Sequence, residues 1–152
     1  MHNFNLIFSG HIDHGKSTLI GRLMMETKSL PKDKLEGIQE YSALVDNFLE
    51  ERLGERTIDT TQMFFCTPKR RYTVIDVPGH LEFIKNMLTG ASDADAAVLI
   101  IDAAEGLGEQ TIRHLSLLSF MGVKEVIVAF NKMDLIGYSR GRFNELRQAL
   151  GS

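Results

Sequence analysis

The stretch G-H-I-D-H-G-K-S at residues 10–17 decides how this chain is read. It fits G-x-x-x-x-G-K-[ST], a pattern in which glycines let the backbone turn tightly and aim consecutive N–H groups at phosphate oxygens. The residues before it, N-F-N-L-I-F-S at 3–9, read as an apolar strand, and those from 16 to 27 as a helix with Leu19, Ile20 and Leu23 on one face. The loop therefore lies at the carboxyl end of a strand and opens a helix whose positive end favours the same anion. Candidate phosphate contacts are Gly10, Asp13, His14, Gly15, Lys16, Ser17 and Thr18, with Lys16 bridging the β- and γ-phosphates and the Ser17 hydroxyl on Mg²⁺. The pattern predicts a nucleoside triphosphate as ligand.

Two further motifs narrow that ligand. D-V-P-G-H at residues 76–80 sets Asp76 at the end of an apolar run, where a carboxylate can hold Mg²⁺ through water, and then Gly79, whose N–H can meet a γ-phosphate. N-K-M-D at residues 131–134 names the base. Asp134 offers two acceptor oxygens to the N1–H and N2–H₂ donors of guanine, a pair that adenine lacks. Asn131 is expected to brace the phosphate loop and Lys132 to lay its aliphatic stem over the guanine ring, while Met133 and Leu135 are read as core. An adenine-nucleotide enzyme is disfavoured on the same ground.

Outward from these motifs, strand-like and helix-like runs alternate. Residues 62–67 and 72–75 read as an antiparallel hairpin through a turn at Pro68, and residues 97–102 and 125–131 as buried parallel strands. Helices are predicted over 81–88, 108–121 and 141–150, and the polar stretch 30–55 reads as helical insertion plus switch, with an amphipathic piece at 43–52. The pattern predicts an α/β fold: a doubly wound, mostly parallel sheet with one antiparallel edge strand and its ligand loops at one edge.

Bulk properties limit the function classes. The chain has 152 residues, enough for one domain with a sizeable core, and a net charge of −3, which argues against broad electrostatic adhesion to nucleic acid. The longest apolar run, at 96–101, is far too short to span a bilayer, and the start of the chain lacks the features of a secretory leader, so a cytoplasmic protein without membrane insertion is expected. The single cysteine, Cys66, sits in M-F-F-C and is expected to be a packed, inert thiol. Lys69, Arg70 and Arg71 form the one compact basic cluster and read as a solvated turn that blunts a sheet edge. His11 and His14 flank Asp13 without the further ligands a tetrahedral metal site needs. His114 is expected either to pack or to face solvent.

With these motifs in place, the chain resembles the translation-factor GTPases of the elongation factor Tu and 1-alpha superfamily over essentially its whole length. The resemblance is carried by G-H-I-D-H-G-K-S-T-L, by D-V-P-G-H, by F-I-K-N-M-L-T-G-A-S-D-A-D at 83–95 and by E-Q-T-I-R-H at 109–114. Within the family, S-T-L-I-G-R-L at 17–23, T-P-K-R-R-Y at 67–72 and N-K-M-D-L-I-G-Y-S-R-G-R-F at 131–143 are most similar to the GTPase subunit of bacterial sulfate adenylyltransferase. The resemblance implies a phosphate-loop G domain that binds GTP and GDP with Mg²⁺ and hydrolyses GTP, slowly without a protein or ribosomal activating partner. It also implies roles for residues that spacing alone does not assign. Thr57 would be the second direct Mg²⁺ ligand beside Ser17, with Asp76 behind them, and His80 would orient the attacking water, acting with Lys16 and Thr57.

Two departures from the family pattern stand out. Gly54-Glu55-Arg56 occupies the place of R-G-I in the first switch, so a permanent cation, Arg56, stands where a small apolar gate is usual. The sequence also stops at Ser152, before any S-A-[KL] loop, last strand, last helix or following barrels, which makes residues 1–152 read as one C-terminally truncated G domain. Two function classes follow: a GTP-hydrolysing switch serving either sulfate activation or the ribosome, or a nucleotide-binding interaction module whose hydrolysis is impaired.

Overall fold

The computed structural model describes residues 3–29, 62–76 and 94–151. The readings placed on 30–55, Arg56, Thr57, Gly79, His80 and the helix at 81–88 lie outside the described residues. In chain order the elements are β1 (Asn3–Gly10), α1 (Lys16–Glu26), β2 (Gln62–Cys66), β3 (Arg71–Asp76), β4 (Ala96–Asp102), α2 (Glu109–Phe120), β5 (Val126–Asn131), a 3₁₀ turn (Met133–Ile136) and α3 (Arg140–Leu150).

The strands form one sheet in the order β2-β3-β1-β4-β5. β1 runs parallel to both β3 and β4, and β4 parallel to β5, whereas β2 pairs antiparallel with β3 at the edge. The predicted mostly parallel sheet with one antiparallel edge strand is therefore observed. Its topology places the site. After β1 the chain crosses to β2 and β3 on one side, and β4 then joins on the other, so the connections diverge between β1 and β4 and leave a crevice at their carboxyl ends. Four parallel strands finish there, on Gly10, Asp76, Asp102 and Asn131.

Period-two alternation sends the side chains of β1 to two different cores. Leu6 and Phe8 pack with Ile20 and Met24 of α1, Met63, Phe65 and Val74, while Ile7 packs with Ala97, Leu118 of α2 and Val123. Each such apolar side chain contributes about 1.5–3 kcal/mol when fully buried. With helices over both faces, β4 has no polar side to show, which is why Ala96–Asp102 is buried along its whole length.

Three expectations need correction. Cys66 is exposed, because the run 63–66 alternates rather than sinking whole: Met63 and Phe65 point into the core, which leaves Cys66 facing out. β5 is parallel as expected but not buried. It is the outer strand, with Val126 and Ile127 exposed and the rest half-buried. Leu135 is exposed in the 3₁₀ turn and Met133 only half-buried, so Leu135 is not core. Helix boundaries shift by a residue or so where caps decide them. Ser139 precedes α3 and its Oγ accepts from the Arg142 N–H at 3.3 Å, starting the helix one residue earlier than predicted.

Lys69, Arg70 and Arg71 are exposed at the turn of the edge hairpin. Thr67 and Arg70 close it by backbone pairing, and the Arg70 and Arg71 guanidiniums lie over the rings of Phe4 and Phe64, at 5.3 and 4.8 Å from their centres.

Candidate functional site

The phosphate loop begins where β1 meets β4 at backbone distance. A Cβ on Gly10 would stand 2.7 Å from the Ile100 carbonyl oxygen, so only glycine fits. Asp13 and Gly15 then take positive φ values of 65° and 90°, and the His14 N–H turns back to the His11 carbonyl. Gly15 caps α1 with no side-chain hydrogen bond, and no acidic residue follows in the first turn, where Lys16, Ser17 and Thr18 stand. First-turn N–H groups have no acceptor inside a helix, so this end presents donors and a positive dipole to an anion.

The second half of the site reaches the first through Asn131. At the end of β5 its Nδ2 donates to the His14 carbonyl oxygen at 2.8 Å, and a Cβ on Gly15 would run into that same amide. Glycine at 15 and asparagine at 131 are thus required together: one leaves the space and the other fills it. Lys132 follows at φ 55°, an uncommon conformation for a side-chain-bearing residue, and Asp134 is exposed as the second residue of the 3₁₀ turn.

Sequence reasoning missed the polar cluster that surrounds these residues. Asp102 ends β4 with its side chain 4% exposed, and its Oδ2 receives the Lys132 ammonium at 2.8 Å. Its Oδ1 accepts from the N–H groups of Ala104 and Glu105 at 2.8 and 3.4 Å. Burial alone would raise the Asp102 carboxyl. The hydrogen bond from Lys132, those from the two backbone N–H groups, and the charge of Lys132 outweigh burial and hold it below the usual value. The hydrogen bond to Asp102 likewise raises Lys132 against its own partial burial. Both groups stay charged at neutral pH. The signal was available, since Asp102 ends an apolar run just as Asp76 does.

His14 also does more than lend its backbone. Its ring is buried, with Nε2 at 3.0 Å from the Glu105 carboxylate and Nδ1 at 3.3 Å from both the Asp102 N–H and the Ile100 carbonyl. A ring with its proton on Nε2 donates to Glu105 and accepts from Asp102, which ties the phosphate loop to the loop after β4. His114, one of two alternatives at the sequence level, packs. Its Nδ1 lies 2.9 Å from the Ser9 hydroxyl inside the sheet–α2 interface, and burial, then the nearby charges of Lys16, His11 and His14, push its pKa down.

Of the remaining candidates, Ser17 is half-buried in the first turn of α1. Asp76 ends β3, whose register sets it beside Phe8 of β1, so it lies at the same edge of the sheet as the phosphate loop.

A parallel sheet whose phosphate loop and N-K-M-D turn are joined at one edge defines the phosphate-loop G domains. The chain belongs to the family of the elongation factor Tu GTP binding domain, whose model matches residues 1–152. It is 46% identical over 151 residues to elongation factor 1-alpha of Methanosphaera stadtmanae, covering 99% of this chain and 37% of that one. Against elongation factor 1-alpha of Pyrococcus furiosus it is 44% identical over 152 residues, covering 94% and 36%. Among solved structures, a bacterial selenocysteine-specific elongation factor superposes with a TM-score of 0.63 at 32% identity, covering 99% of this chain and 23% of that chain. The chain thus spans little more than a third of the curated relatives it matches. Among the described residues, no helix is long and apolar enough to cross a membrane.

Proposed function

We propose that this chain binds GTP and GDP with Mg²⁺ and hydrolyses GTP as the switch domain of an elongation-factor-type protein in the cytoplasm. The observation that carries the reading is the 2.8 Å hydrogen bond from Asn131 to the His14 carbonyl, which couples the phosphate loop to the base-reading turn. Lys16 and the first-turn N–H groups of α1 bind and orient the β- and γ-phosphates. Phosphoryl transfer to water asks a protein mainly for such positioning and charge stabilisation. The Ser17 hydroxyl would hold Mg²⁺, with Thr57 and Asp76 assisting by family resemblance, and an all-oxygen set suits that hard ion. Bound there, Mg²⁺ would neutralise charge between the β- and γ-phosphates. Gly79 senses the γ-phosphate and His80 orients the attacking water, both by family resemblance. Lys132 and Asp134 hold the guanine base, while Asn131 braces the phosphate loop beside it.

The named relatives are elongation factors, and this favours a ribosomal or other translation partner over the sulfate-activation subfamily suggested by the 67–72 and 131–143 stretches. Single-turnover hydrolysis of GTP at saturating protein tests the activity. Slow, Mg²⁺-dependent release of phosphate is expected, and its absence at full GTP occupancy would leave a nucleotide-binding interaction module. Asp134→Asn is expected to move preference from guanine toward xanthine nucleotides, because an amide presents a donor where the carboxylate only accepts.

A further inference from the structure

Lys132 enters the base site with two handicaps. Its backbone is held at φ 55°, a left-handed conformation that is unfavourable for a side-chain-bearing residue. Its side chain is long, and a free lysine stem loses rotamer entropy when a ligand first immobilises it. A platform that must be assembled on each binding event is a poor one.

Asp102 removes the second handicap before any ligand arrives. In the sheet register it is the partner of Asn131, so its carboxylate stands one residue from Lys132 across neighbouring strands. Its orientation is fixed independently of Lys132, because Oδ1 is engaged by the N–H groups of Ala104 and Glu105 and the side chain is almost fully buried. Oδ2 is then left pointing at the ammonium, 2.8 Å away. The Lys132 side chain itself is about one-third exposed, so part of it remains open to a neighbour while its end is anchored.

We propose that Asp102 is a positioning residue for the guanine base, pinning the Lys132 ammonium so that the lysine stem is preorganised as the platform for the ring. This rests on the guanine-nucleotide reading above and adds a specificity determinant to it. Preorganisation of this kind raises affinity by removing an ordering cost, without a new contact to the ligand.

The test is a double-mutant cycle on GDP affinity, read by calorimetry in Mg²⁺. Asp102→Asn keeps the side-chain oxygen that accepts from Ala104 and Glu105 but replaces the oxygen facing Lys132 with an amide that cannot accept. Lys132→Met keeps most of the stem and removes the ammonium. In the otherwise unchanged protein, Asp102→Asn is expected to raise the Kd for GDP about tenfold, and in the Lys132→Met background by less than twofold. An equal rise in both backgrounds would mean that Asp102 only holds its own loop, and no rise in the first would mean that the pin is idle. Either result overturns the proposal. If Asp102→Asn loses its folded circular dichroism spectrum, Asp102→Ser, whose hydroxyl can still accept from Ala104, carries the same expectation. Loss of folding in both would make the carboxylate a fold element and overturn the proposal too. An unaltered protein that binds no GDP would overturn the functional reading itself, whereas guanine binding insensitive to Asp102 would overturn only this inference.

Discussion

The centre of the sheet and its β5 edge deliver the two halves of one site by different physical means. β1 is held by burial on both faces, with Ile7, Phe8 and Ser9 essentially inaccessible, and the phosphate loop inherits its position from that packing. β5 has Ile127 57% exposed, yet it ends in Asn131, with Lys132 next in the chain. What fixes its end is mainly polar, Asn131 to the His14 carbonyl and Lys132 to Asp102, with one apolar contact, the ring of Phe130 edge-on against Phe143 of α3. Nonspecific apolar burial suffices to aim a backbone loop at phosphate. Reading a base at a half-exposed edge takes directional bonds.

Substitutions should therefore separate the two regions. Phe8→Ala, in the fully packed centre, is expected to cost about 3–5 kcal/mol of stability, measured as a lowered denaturation midpoint. A loss below 1 kcal/mol would mean that the centre is not the rigid part. Asn131→Ala should cost less overall, about 1–3 kcal/mol, by leaving the His14 carbonyl without its partner. Its signature is an uneven effect. GDP affinity should fall by more than the apo stability predicts, and equal losses would argue that the bond is merely structural.

The buried centre should also respond to pH through His114. Its folded pKa lies below the ordinary 6.5 because burial, with Lys16, His11 and His14 nearby, disfavours the charged ring. The unfolded chain takes up that proton more readily, so the contribution to stability is full above the ordinary histidine range and declines as pH falls through about 6.5 toward the lowered folded value. His114→Gln should flatten that part of the pH–stability curve between neutrality and pH 5. An unchanged slope would mean that the ring charges as easily folded as unfolded. Smallest of all should be Ile127→Thr on the exposed edge, within about 0.5 kcal/mol.

Most of the fold was legible because its signals are local. The apolar runs at 3–9 and 97–102, the glycine loop between strand and helix, and the turn at Pro68 each declare themselves within a few residues. Burial at the periphery was less legible. Cys66 and β5 sit in apolar runs that read as core, but whether such a run is covered depends on neighbours distant in sequence. The candidate site divides the same way. Gly10, Gly15, Lys16, Asn131 and Asp134 follow from spacing. Asp102 ends an apolar run as Asp76 does, but its pairing with Lys132 and the contact of Glu105 with His14 become visible only when the parallel register brings the ends of β4 and β5 to the phosphate loop. Spacing gives His14 a backbone role in the phosphate loop and argues against its ring as a metal ligand, but no local pattern shows that an imidazole there points inward.

If a phosphate loop and a guanine-reading turn are clamped into one site, a competition titration will show it in the choice of base. A fluorescent GDP analogue bound in the presence of Mg²⁺ would be displaced by unlabelled GDP or ADP. GDP should displace it at a concentration at least about a hundredfold lower than ADP, equal to about 2.7 kcal/mol of base discrimination. Displacement by both at the same concentration would contradict the account, since a phosphate loop acting without its base-reading turn cannot tell the two apart.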